Sequence, residues 1–243
     1  MRFMKKILRY ILSVFKALLY RPNAKTLWYS IRYAPLCFKY YGNPEHNSII
    51  DKQPWLVFPV IKILDNIMKE DWRIFEWGSG GSTLFFASRA KEVVSVEHNR
   101  DWFEAVGKEL ERLAFTNVKY ELFEPEQCKN YDRRRISDPS AFFSDDYDSE
   151  GYDYEKYAKA ITKYPDNFFD LIVIDGRARP SCMFQSLKKV KKNGIILLDQ
   201  SERPHYLKCM SFFMGKKEWG KKSYLAPLPY CLHFTETTIY IKK

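Results

Sequence analysis

The chain has 243 residues, of which 46% are hydrophobic, 17% aromatic and 29% charged, and a formal net charge of +10. That length suits one large domain or a domain with an extension, and the composition excludes collagen-like, disordered and disulfide-scaffold classes. The charge is unevenly spread: residues 1–44 hold nine Lys/Arg and no acid, residues 45–176 balance at −9 and residues 177–243 at +10. No zinc-finger spacing, RNP-like string or leucine zipper accompanies it, so a nucleic-acid partner is not expected.

The first twenty residues set Met4, Ile7, Leu8, Ile11, Leu12, Phe15, Leu18 and Leu19 at helical spacing, with Lys5, Lys6, Arg9 and Lys16 on other faces. The segment is too charged to span a bilayer and too interrupted for a signal peptide. The arm, residues 1–50, therefore has two readings. It is an interfacial helix on the anionic inner face of a membrane, or it packs on its own domain or on a second copy in a homo-oligomer. The aromatic, basic stretch 26–41 extends either surface. Cys37, Cys128, Cys182, Cys209 and Cys231 form no CxxC pair and read as reduced thiols, mostly small buried hydrophobes, in a cytoplasmic protein.

The domain proper, residues 51–243, opens with a helix carrying Val60, Ile63, Leu64, Ile67 and Met68. A short strand, Arg73–Trp77, ends in Gly78-Ser79-Gly80-Gly81-Ser82, with a helix expected over Thr83–Ala90. Strand Val93–Glu97, helix Arg100–Ala114 and strand Val118–Phe123 follow. An insertion at 124–165 breaks the rhythm. Between Asp138 and Glu155 it holds seven acids and no Lys or Arg, threaded by Tyr147, Tyr152 and Tyr154, and it reads as a lid or a solvated loop. Strand Leu171–Asp175, helix Cys182–Lys192 stopped by Gly194, strand Ile195–Asp199 and a last strand Thr237–Ile241 complete the pattern. Strands alternating with helices predict an α/β fold with a mostly parallel sheet, whose ligands bind beyond the C-terminal strand ends.

Chemistry gathers at that edge. The turn Gly78–Ser82 lets backbone approach a ligand. Glu97 ends the next strand, where a carboxylate can hold a ribose diol. Asp175 and Asp199 each end a later strand. A nicotinamide GxGxxG turn would need glycine where Thr83 stands, which disfavours an oxidoreductase as the alternative. A scaffold without catalysis is the non-enzymatic alternative.

Phe75-Glu76-Trp77-Gly78-Ser79-Gly80 resembles motif I of the class I S-adenosylmethionine-dependent methyltransferases. Val96-Glu97-His98-Asn99, Phe169 to Arg177 and Asn193 to Asp199 resemble that family's second-, fourth- and fifth-strand motifs. The resemblance covers residues 54–243 and implies a Rossmann-like, seven-stranded sheet flanked by helices. It implies that Glu76, Gly78, Ser79, Gly80, Gly81 and Ser82 hold the methionine part of S-adenosylmethionine, with Asp175 beside it. Glu97 would bind the ribose, and His98, with Glu124 a further candidate, would lie near the adenine. Asp175, Asp199 and Gln200 resemble the ligand set of cation-dependent O-methyltransferases, which implies Mg²⁺ or another divalent cation. The catalytic Lys of those enzymes is Ala178 here, and Gln replaces Asn. His205 is a candidate base, and His46 and His233 read as structural. Arg177, with Arg179 and Arg203, suits an anionic acceptor. The reading is O-methylation of a glycan or other small hydroxylated acceptor.

Overall fold

Strand β1 (Arg73–Trp77) shows how the sheet is covered: Ile74 enters one buried apolar cluster while Phe75 and Trp77 enter another. The same alternation runs through β4 (Phe169–Ile174) and β5 (Val190–Leu198). There Leu171, Val173, Ile195 and Leu197 face the first cluster, and Ile172, Ile174, Ile196 and Leu198 face the second. Apolar residues on both faces are what a sheet sandwiched between helices requires. The computed structural model describes residues 2–146, 148–213 and 217–243, excluding the side chains of residues 2, 3, 207, 209 and 211–213. The expectations for Tyr147 and for the side chains of Arg2 and Cys209 fall outside the described residues.

With β2 (Glu92–Glu97), β3 (Val118–Leu122), β6 (Trp219–Pro227) and β7 (Phe234–Lys242), the sheet has seven strands in the order β3-β2-β1-β4-β5-β7-β6. The β1–β5 core is parallel, and β7 runs antiparallel to β5 and β6. Helices α3 (Phe58–Ile67), α4 (Gly81–Ala87), α5 (Arg100–Arg112) and α7 (Arg179–Ser186) flank it. The short helix α6 (Glu155–Lys159) and helix α8 (Pro204–Phe213) complete the cover.

Two expectations need correction. The helix expected over Cys182–Lys192 ends at Ser186, because the backbone of Asn167, Phe168 and Phe169 bonds the Lys188 and Lys189 carbonyls and draws the chain into β5. Gly194 therefore lies inside β5, after Asn193 at φ 63°, in an irregular stretch of pairing between Phe169 and Leu171. Strand β6 gave no sequence signal. Lys221 and Lys222 sit in it where an apolar run would be needed, as suits an edge strand.

The arm forms α1 (Arg2–Tyr20) and α2 (Ala24–Tyr40), and α2 lies along β6. Its inner face is built into the domain: Tyr33 stacks on Phe58 at 5.3 Å, and the Tyr10 hydroxyl donates to the Ser30 carbonyl at 2.6 Å. Cys37, Cys182 and Cys231 are buried free thiols, whereas Cys128 is half-exposed rather than the buried hydrophobe expected. Among the described residues, no helix is long and apolar enough to cross a membrane.

Candidate active site

The parallel strands deliver Gly78–Ser82, Glu97–Asn99, Asp175–Arg177 and Asp199–Gln200 to one edge, where they line a cavity of about 650 Å³. Ser48, Trp55, Asp101, Trp102, Arg179, Leu228 and His233 complete its wall. Gly78 has φ +89°, and a Cβ there would stand 2.9 Å from the Asp175 carbonyl, so only glycine fits. Gly81 is glycine for another reason. A Cβ would meet the Ser48 carbonyl oxygen at 1.9 Å and that of Gln53 at 2.5 Å, so the protein's own 48–53 segment uses that space.

Glu97 is almost fully buried beneath the cavity floor. Its Oε1 accepts from the His98 and Asn99 amides at 2.8 and 2.9 Å, and its Oε2 from the amide and hydroxyl of Ser79, both at 2.9 Å. Burial pushes its pKa up, but His98 and these amides outweigh that and hold it below the usual carboxylate range. The Ser79 hydroxyl also lies 2.6 Å from the Tyr120 hydroxyl. It occupies one lone pair that a ribose hydroxyl would use, with Tyr120 ready as an alternative partner. Arg177 Nε donates to His98 Nε2 at 3.1 Å, leaving the His98 proton on Nδ1, 2.8 Å from Glu97 Oε1. The indole of Trp102 closes the turn by donating to the Ser79 carbonyl at 2.7 Å.

Glu76 lies behind the turn rather than on the cavity wall. It is fully buried and accepts from the Thr83 hydroxyl at 2.6 Å and the Ser95 hydroxyl at 2.8 Å. Thr83 in turn accepts from the Gly80 amide at 3.0 Å, so this residue, which occupies the third-glycine position, ties strand, turn and helix together. Burial raises the Glu76 pKa to about 7 against the pull of these hydroxyls. Its Oε1 has no hydrogen-bond partner of ordinary geometry among the described residues.

The metal expectation finds no support. A cation of the protein already stands between the two acids: Arg179 is buried, with Nη2 3.2 Å from Asp175 Oδ1 and Nη1 2.5 Å from the Asp199 carbonyl oxygen. Thr237 donates to Asp199 Oδ1 at 2.6 Å, and the Gln200 carboxamide oxygen is taken by Arg203. No cluster of three or more His, Cys, Asp or Glu suited to a metal occurs among the described residues. Burial, then the charge of Asp199, drives the Asp175 pKa upward, and Asp199 is raised mainly by burial. Ala178 and Gln200, just past these acids, hold left-handed backbone at φ 45° and 50°, a strain of the kind that collects at functional sites.

Two other expectations shift. His205 is absent from the cavity wall, and its Nε2 lies 3.2 Å from Asp145 Oδ2 in the insertion. Arg177 and Arg203 are likewise engaged by the insertion. Arg177 meets Asp146 at 2.6 Å and Asp148 at 2.9 Å, and Arg203 meets Asp145 at 3.0 Å. With Arg179 on Asp175, all three arginines have internal carboxylates, which removes the basis for an anionic acceptor. Glu124 pairs with Arg100 in solvent, away from the cavity. Sequence reasoning missed Trp55 and read His233 as structural, whereas both line the cavity. Neither lies in a motif, and both reach the cavity from segments distant in sequence.

No protein-family model matches the chain, and no curated protein matches it. Solved structures do match in fold. A candidate O-methyltransferase from Klebsiella pneumoniae shares 11% identity at a TM-score of 0.57, over 91% of this chain and 100% of that one. A candidate methyltransferase from Streptococcus mutans, solved with SAH, shares 11% identity at 0.51, over 74% and 94%. An rRNA methylase from Streptococcus thermophilus shares 11% identity at 0.50, over 75% and 92%. With the strand order and the antiparallel β7, these likenesses identify the fold as that of the class I S-adenosylmethionine-dependent methyltransferases.

Proposed function

We propose that the protein is an S-adenosylmethionine-dependent methyltransferase that methylates a hydroxyl of a glycan or other small acceptor. The observation that carries this reading is the buried Glu97, held below the usual carboxylate range, beside the Gly78–Ser82 turn at the floor of the cavity. A carboxylate held ready for a diol, beside a turn that only glycine can make at Gly78, fits an adenosine-containing cofactor. Bound there, the cofactor supplies an activated methyl group on a sulfonium. The residues around the cavity bind, orient and handle the acceptor proton.

Within this reading, Ser79→Ala tests whether the Ser79 hydroxyl only holds the place of a ribose hydroxyl. The variant should bind S-adenosylhomocysteine as tightly as the wild type or more tightly, measured by calorimetric titration. A loss of more than about tenfold would show instead that Ser79 holds the ligand itself.

The acceptor side is formed by Trp55, Leu228, Gln200 and His233. Trp55 is 49% exposed and meets Tyr230 edge-on, so its indole is free to stack against a sugar ring. The likeness to a candidate O-methyltransferase agrees with a hydroxyl acceptor. Asp175 is already engaged by the buried Arg179 at 3.2 Å, so we assign proton removal to His233. Partial desolvation lowers that imidazole's pKa from its ordinary 6.5 and so favours the neutral, proton-accepting form. His233→Asn should lower kcat by about 10²-fold or more while leaving cofactor affinity unchanged. In the wild type, kcat should rise with pH through a midpoint shifted to the acid side of an ordinary imidazole. An unchanged kcat in the variant would remove His233 from the reaction.

A further inference from the structure

The inner face of the arm is buried in the domain, but its outer face is not covered. On α1, Met4, Leu8, Ile11, Leu12, Phe15 and Leu19 are between 52% and 73% exposed. On α2, Leu27, Trp28 and Ile31 are between 46% and 69% exposed. Isolated exposed apolar residues are ordinary, but a row of them at helical spacing along two consecutive helices is a surface that water does not favour. The rows are flanked by exposed cations: Lys5, Arg9 and Lys16 on α1, and Lys25, Arg32 and Lys39 on α2. Among the described residues, the only Lys or Arg of the arm paired with a carboxylate is Arg21, with Glu236 at 2.5 Å. Its first 44 residues contain no acid of their own.

We propose that this face lies on an anionic phospholipid surface, with the apolar rows sunk at the headgroup boundary and the flanking Lys/Arg among the lipid phosphates. Charge decides between occupants. A second copy docked face to face would bring two uniformly cationic surfaces together with no acid on either side. A bilayer bearing negative charge supplies both the apolar bed and the counter-charge, and each cation near it strengthens binding. No described helix is able to span the bilayer, so the contact is interfacial. Trp28 and Tyr20, both more than half exposed, are amphipathic side chains suited to that boundary.

The test is co-sedimentation of the full-length protein with vesicles of phosphatidylcholine alone and of equal parts phosphatidylcholine and phosphatidylglycerol. The protein should pellet with the anionic vesicles and not with the neutral ones, and release as salt is raised. Lys5→Ala and Lys16→Ala should each weaken binding about fivefold. Leu8→Asp/Phe15→Asp should weaken it by more than about tenfold while keeping the wild-type melting temperature, since both side chains are already exposed. Absence of binding to the anionic vesicles would overturn the proposal. So would equal binding by Leu8→Asp/Phe15→Asp, or a lipid-free dimer that this variant dissolves. Tighter binding to single-stranded RNA than to vesicles would assign the charge to nucleic acid and overturn it as well.

Discussion

Glu97→Ala is expected to weaken binding of S-adenosylhomocysteine by about 10²-fold or more, the largest effect of any single change in the cavity. A ribose hydroxyl taking the lone pair that the Ser79 hydroxyl gives up contributes about 1.5–3 kcal/mol to an ionised carboxylate. Truncation also unpairs the Ser79, His98 and Asn99 amides that shape this end of the cavity. The buried position makes the loss larger than at an open surface, because little water replaces the carboxylate oxygens. Calorimetric titration measures it directly, and an unliganded melt that stays cooperative separates lost affinity from lost fold. An affinity within threefold of wild type would show that Glu97 only organises the 97–99 backbone, whose amides it already engages.

The second large effect concerns pH. The Glu76 carboxyl has a folded pKa of about 7 against an ordinary 4.5, so the folded chain holds a proton that the unfolded chain releases. The stability linked to that proton is fully present below pH 4.5 and is lost as pH rises through 7. The raised value corresponds to about 3 kcal/mol over that window. Glu76→Gln keeps the shape of the protonated acid and cannot ionise. The variant should match wild type in denaturant midpoint near pH 5 and exceed it at pH 8, with the gap opening between. Parallel curves for the two proteins would show that Glu76 stays ionised in the fold. The acid is thus tolerated at a cost above neutrality, in a position where it anchors Thr83 and Ser95 beneath the turn.

Much of this site was legible from residue order. The stretches around β1, β2, β4 and β5 are largely apolar and are closed by Gly78, Glu97, Asp175 and Asp199, and a parallel sheet must bring such ends to one edge. The sequence did not show which groups those residues would meet. Arg179 is only four residues from Asp175, yet its placement between two carboxylates depends on the α7 start and the left-handed turn at Ala178. Arg177, Arg203 and His205 looked free because their partners Asp145, Asp146 and Asp148 sit in the insertion, tens of residues away. His233 and Trp55 carry no local pattern. They reach the cavity from the segment before β7 and the segment before α3. Strand β6 escaped notice because an edge strand bearing lysines lacks the periodicity that marks a buried one. The arm was half legible. Its amphipathic spacing predicted helices, but only packing shows that one side is buried and the other is bare.

Cofactor choice is the claim on which the rest depends, and thermal unfolding in the presence of S-adenosylhomocysteine or of NAD tests it most directly. A ligand at 100 times its Kd stabilises the fold by about 2.7 kcal/mol. S-adenosylhomocysteine should raise the melting temperature of the wild type by about 5–10 °C, and Glu97→Ala should lose most of the rise, while NAD should leave both proteins unmoved. A rise with NAD and none with S-adenosylhomocysteine would contradict the methyltransferase assignment.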